Sequence, residues 1–250
     1  MRRVLAVAIA LGARAAMAHV APSIDDNNRY LKLTPQADRV RLVYTIFFGE
    51  VPGAQTRPAI DADRDGTISE REAREFGSKL ASEVAAMLEV TVDRVPTALA
   101  WEDIAVGMAS PSTKAGSFSV DMIASFCLSP AGGHHALQLR DRFRLPRPGE
   151  TEVRVEDSPG VRLQIARVGP ADDPSHDYGF VGAGGPLSDD GVELVFEATD
   201  QAPTTGSACG ATPAVPNRRL STGLVVGAAA VLGFVLAAIV ALVRRRRIAT

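Results

Sequence analysis

The chain has 250 residues, 46% hydrophobic and 22% charged, with a formal net charge of −2, which fits one ordinary domain plus targeting segments. The charge is uneven: nine arginines and no acid fall in residues 1–18 and 218–250, leaving 18 basic against 29 acidic groups, net −11, in residues 19–217. Such a domain repels nucleic acid and concentrates hard cations, so a nucleic-acid partner is excluded.

Residues 1–18 start with Arg2-Arg3, continue through an apolar run and end in Ala16-Met17-Ala18. A charged n-region, an h-region and an A-x-A site predict a cleaved signal peptide, with His19 as the mature N-terminus. Residues 19–200 are then the extracytoplasmic domain. Strands are expected over 29–33 and 39–48, where aromatic and β-branched residues flank the turn-like Thr34-Pro35-Gln36. Residues 49–58 contain two prolines and two glycines, which argues against a long helix there.

The next segment carries chemistry. Residues 61–72 read Asp-Ala-Asp-Arg-Asp-Gly-Thr-Ile-Ser-Glu-Arg-Glu and match the EF-hand pattern D-x-[DN]-x-[DN]-G-x₅-E at every specified position. Alternation lets a tightly turning chain aim the Asp61, Asp63 and Asp65 carboxylates at one point. Gly66 supplies the sharp turn, Thr67 its backbone carbonyl, Ser69 a direct or water-mediated contact, and Glu72 two oxygens from the outgoing helix. The plainer reading is a solvated acidic turn that caps a helix. EF-hands ordinarily pair through loop position eight, here Ile68, and no second loop is visible in the sequence. A lone loop entered from a strand implies a structural or weak calcium site, in the range of about 10⁻⁴–10⁻³ M seen in extracellular modules.

From Glu70 to Glu89, Ala73, Phe76, Leu80, Val84, Met87 and Leu88 recur at three- and four-residue steps, predicting one long amphipathic helix whose stripe is a packing face. Further strands are expected over 98–108, 118–128, 136–143, 150–156, 161–168 and 192–196, where apolar and polar residues alternate between Gly, Pro and Asp punctuation. Residues 169–187 read as a long loop. The fold class expected is therefore mainly β, an antiparallel sandwich-like domain with the EF-hand loop and helix inserted.

Residues 201–219 contain Ala, Thr, Gly and Pro without apolar periodicity and read as a flexible linker. Residues 220–243 are apolar throughout and precede four arginines. That length crosses a bilayer as a helix, and the positive-inside rule puts the basic tail, 244–250, in the cytoplasm and the domain outside. Gly223 and Gly227 form a G-x-x-x-G that could let two such helices approach, which leaves a homodimer open.

The remaining candidates are sparse. His19 with His134, His135 or His176 could hold copper or nickel, but no fixed spacing supports it; exposed histidines in turns are the plainer reading. Cys127 and Cys209 either form a disulfide that ties linker to domain, or one is buried and the other modified. Trp101 reads as core. No G-x-S-x-G, Walker loop or paired C-x-x-C occurs, so no enzyme is expected.

Three segments resemble a known family: His19-Val20-Ala21-Pro22 with Asn28-Arg29-Tyr30 and 38–44, Gly49-Glu50-Val51-Pro52 before the Asp61 loop, and 135–141. They are similar to the extracytoplasmic N-terminal region of bacterial nickel/cobalt exporters and HupE/UreJ-like membrane proteins. Those proteins carry several membrane helices, whereas this sequence offers one candidate span. The resemblance thus implies a stand-alone sensor or accessory domain for nickel, cobalt or copper handling, with a membrane-protein partner, as the alternative to a structural or interaction role. The C-terminus also resembles a tripartite sorting signal of some Gram-negative bacteria, built from Cys209, the span and the arginine cluster, which leaves inner membrane and cell surface both open.

Overall fold

The structure is a computed structural model that describes residues 25–171, 177–181, 186–199 and 209. The signal peptide, most of the linker, the candidate span at 220–243 and the basic tail lie outside these residues, as do His19 and His176. Among the described residues no helix is long and apolar enough to cross a membrane.

The fold is mainly β, in two sheets. β1 (Asn27–Pro35), β2 (Arg39–Phe48), β5 (Trp101–Gly107), β6 (Phe118–Cys127), β8 (Pro148–Val155) and β10 (Asp177–Val181) form a six-stranded sheet in the order β10-β8-β1-β2-β6-β5. All its pairings are antiparallel except β1 with β8, which is parallel. The second sheet, antiparallel throughout, has the order β4-β3-β7-β11-β9, from β3 (Leu88–Val92), β4 (Val95–Pro96), β7 (Gly133–Asp141), β9 (Val161–Val168) and β11 (Val192–Ala198).

Alternation along the strands builds the core. On β2, Val40, Leu42, Tyr44, Ile46 and Phe48 are buried, and on β6 Val120, Met122, Ala124 and Phe126 lie on the same inward side. A period of two puts every second side chain on one face, so a single register fixes the whole apolar set. Leu137, Leu139, Leu194 and Phe196 supply the facing layer. One polar bridge joins the two sheets: Asp141, at the end of β7, accepts hydrogen bonds from Arg29 on β1 and Tyr44 on β2, both at 2.7 Å.

Between β2 and β3 the chain forms α1 (Glu50–Ile60), a loop, and α2 (Glu70–Ala85). Residues 49–58 are therefore helical, contrary to the expectation from their prolines and glycines. Pro52 falls in the first turn, where a backbone N–H has no partner to lose. Gly53 is there for closeness: a Cβ would stand 2.5 Å from the Gly116 carbonyl.

Other departures are local. The long helix stops at Ala85, so Met87 is exposed and Leu88 opens β3; a buried β3 and a continued helix share the same apolar run. Within the expected 169–187 loop, residues 177–181 pair with β8 and α3 (Pro186–Asp189) is a short turn of helix. Trp101 is partly buried, as expected of core, and donates its indole N–H to the Ala81 carbonyl of α2 at 2.8 Å. Cys127 and Cys209 form a disulfide with Cα atoms 5.6 Å apart, so the bridged alternative holds. The Cys209 thiol that a sorting signal would use is thereby occupied.

Candidate metal centre

The helix–loop–helix is placed by an aromatic cluster at one end of the six-stranded sheet. Phe48 closes β2 and stacks on Phe118 at the start of β6, ring centroids 4.3 Å apart, and Phe76 of α2 meets both edge-on at 5.9 and 5.8 Å. α2 lies close on β5, where a Cβ at Gly77 would come within 2.6 Å of Val106. Its Ala73, Leu80 and Val84 are buried, as the stripe predicts.

α1 ends as the motif begins. The loop bends through Arg64 (φ +62°) and Gly66 (φ +87°), the second where glycine relieves the backbone. The Asp61, Asp63 and Asp65 carboxylates converge, each offering an oxygen within 4.8 Å of the others. Backbone amides fix that convergence. Asp61 accepts from Asp65 N at 3.2 Å and Gly66 N at 3.0 Å, Asp63 from Asp65 N at 3.2 Å, and Asp65 from Thr67 N at 2.7 Å. Asp61 is 7% exposed, while Asp63 and Asp65 are exposed.

Glu72, 2% exposed, is the most constrained member. It forms a capping box with Ser69: its carboxylate accepts from Ser69 Oγ at 2.7 Å and Ser69 N at 2.9 Å, while Ser69 Oγ accepts from Glu72 N at 3.3 Å. Its other oxygen reaches back to the start of the loop, accepting from Ala62 N at 2.7 Å and Asp63 N at 3.4 Å. The Ser69 hydroxyl, then the amides of Ser69, Ala62 and Asp63, hold the Glu72 carboxyl down at about 2. Glu72 thus closes the loop end to end.

Of the six residues expected to serve a metal, Asp61, Asp63 and Asp65 are brought together. Glu72 and Ser69 are locked to each other at the loop's far end, and Thr67 sits on a two-residue antiparallel bridge to Ser112. The donors fit a hard cation: all are oxygens, and a carboxylate oxygen that accepts one N–H keeps a lone pair for an ion. Softer metals find less. Both cysteines are oxidised. His135 is buried, with its ring nitrogens 2.8 Å from Asp93 Oδ2 and 2.9 Å from the Gly132 carbonyl, and His134 lies on the surface beside Gln164 and Glu197. Among the described residues no other His, Cys, Asp and Glu group has metal-holding geometry.

Sequence reasoning missed Arg57 in the last turn of α1. It is fully buried, and its guanidinium donates to five backbone carbonyls of the β5–β6 connection: Gly116 at 2.8 Å, Ser110 at 2.7 Å, Ser112 at 3.1 Å, Met108 at 2.6 Å and Ser117 at 3.1 Å. It also lies 5.4 Å over the Phe118 ring. Burial lowers its pKa, and Glu50 partly offsets that. The only hint in the sequence is an arginine four residues before the first ligand position, followed much later by the Ser-, Pro- and Gly-rich 107–117. No family model matches the chain, and no curated protein matches it.

Proposed function

We propose that this protein is a calcium-binding, membrane-anchored extracytoplasmic protein with a structural or interaction role. Its ion is held by the carboxylates of Asp61, Asp63, Asp65 and Glu72, with Thr67 through its carbonyl and Ser69 directly or through water. One observation carries this reading: a helix–loop–helix, complete on both sides, gathers three aspartate carboxylates within 4.8 Å of one another at the positions the motif assigns. An acidic turn that merely capped α2 needs Ser69 and Glu72 alone; it gives no reason for the other three acids to converge and repel. The membrane part rests on the sequence of residues 1–18 and 220–247. We infer binding rather than catalysis, because the site offers ligands and no nucleophile paired with a base.

The test is a thermal melt of the full chain in detergent, in millimolar calcium against EGTA. A ligand that binds only the folded state stabilises it by about 2.7 kcal/mol at a hundred times its Kd. That is a rise of several degrees, absent in Asp61→Asn/Asp63→Asn. An identical melting temperature in both buffers overturns the reading. Titration with nickel and copper in the same format separates the alternative, an accessory or sensor domain for transition metals.

A further inference from the structure

EF-hands stiffen one another through a short antiparallel contact at loop position eight. Here position eight is Ile68, buried, and its amide donates to the Pro111 carbonyl at 2.7 Å. Beside it Thr67 bridges Ser112 in antiparallel fashion, and the Gly66 carbonyl accepts from Thr113 N at 3.1 Å and Thr113 Oγ1 at 3.2 Å. The metal loop is therefore paired, and its partner is the connection between β5 and β6.

That partner has little regular structure of its own, so something must hold it. Carbonyls alternate along it as on a strand: those of Ser110 and Ser112 turn to Arg57, and that of Pro111 between them turns to Ile68. Arg57 and the metal loop thus grip opposite edges of one segment. The guanidinium has five N–H donors and finds five carbonyl acceptors, spread from Met108 to Ser117. Glu50 fastens the far end by accepting from Ser117 N at 3.2 Å, and Gly116 leaves room for that carboxylate.

We propose that residues 108–117, held by Arg57, take the place of a second EF-hand, so that calcium affinity is set in part by a residue that gives nothing to the ion. The inference rests on the calcium reading above. Arg57 acts as a positioning residue. It fixes the partner segment, the segment fixes the backbone at 66–68, and the three aspartates are gathered before the ion arrives instead of at its expense. Preorganisation of this kind raises affinity by removing an ordering cost, without adding a contact.

The experiment is calcium titration of the full chain in detergent, well below its melting temperature, for the unaltered protein, Arg57→Met and Arg57→Lys. Amide hydrogen exchange is followed in calcium-free buffer. Arg57→Met should bind calcium at least about tenfold more weakly, roughly the scale of one charge-assisted hydrogen-bond network lost. Arg57→Lys, with three donors for five carbonyls, should fall between. The Ile68 and Thr113 amides should exchange faster in both variants, while Leu137 and Leu139 in β7 stay protected, a pattern that general destabilisation does not give. Equal calcium affinity in unaltered protein and variants overturns the inference and leaves the calcium reading intact. If Arg57→Met fails to fold, Arg57→Lys decides by the same criterion. No calcium binding by the unaltered protein overturns both.

Discussion

Two buried arginines hold two regions of this molecule, by opposite means. In the sandwich, Arg29 is 3% exposed and meets a counter-charge: Asp141 at 2.7 Å, with Thr151 and the Phe143 carbonyl as further acceptors and Tyr44 bonded to the same carboxylate. In the helical lobe, Arg57 has no exposed surface and bonds to no carboxylate, only to five backbone carbonyls. Burial works against the charge in both. For Arg29 it is outweighed by Tyr44 and Asp141, which raise its pKa; for Arg57 it prevails and the pKa falls. A counter-ion fixes two side chains against each other. Five carbonyls fix a length of backbone, which is what an irregular segment requires.

The sharpest way to break this comparison is to remove one partner of each. Asp141→Leu leaves Arg29 buried without its counter-charge and should cost about 3–5 kcal/mol in urea unfolding. Adding Arg29→Met should return most of that loss, because two apolar groups of similar volume then fill the space. No second side-chain substitution should restore Arg57→Met, since its acceptors belong to the main chain. Rescue there, or its failure in the sandwich, would break the distinction.

A smaller effect sharpens the lobe. Ser69→Ala removes one side of the capping box and should destabilise the calcium-free protein by about 1 kcal/mol, read from the same urea curves. The mildest belongs to the sandwich. Tyr30 on β1 lies opposite Glu152 of β8; burial, then the Glu150 and Glu152 carboxylates, push its hydroxyl up to about 12. The folded state keeps a proton that the unfolded chain gives up near 10, so stability should be level below pH 10 and decline between 10 and 12. Tyr30→Phe should flatten that decline in melts taken from pH 9 to 12.

The sandwich was legible because it obeys a period of two. Val40 to Phe48 and Phe118 to Phe126 alternate without interruption, and the inward set follows from that alone. The acidic loop was legible because a motif fixes its side chains at set steps. What escaped was decided by tertiary contact. Pro52 and Pro58 weigh against a helix in local propensity, yet α1 forms because Arg57, Gly53 and Glu50 on it meet the β5–β6 connection. The partner of Ile68 could not be found by searching for a second acidic loop, because 108–117 contributes carbonyls and amides, which every sequence has. Leu88 was drawn into the helix because a short apolar run does not distinguish a helix end from a buried strand.

The disulfide joins the last residue of β6 to a position ten residues beyond the last described residue of the β11 segment, Thr199. It makes the stretch from 200 to 208 a closed bight in the rope. A protease that cuts there parts the backbone and frees nothing, because Cys127 still holds Cys209 and whatever follows it. Shedding by a cut in that stretch therefore takes two agents in sequence, one that hydrolyses and one that reduces, and an oxidising surrounding withholds the second.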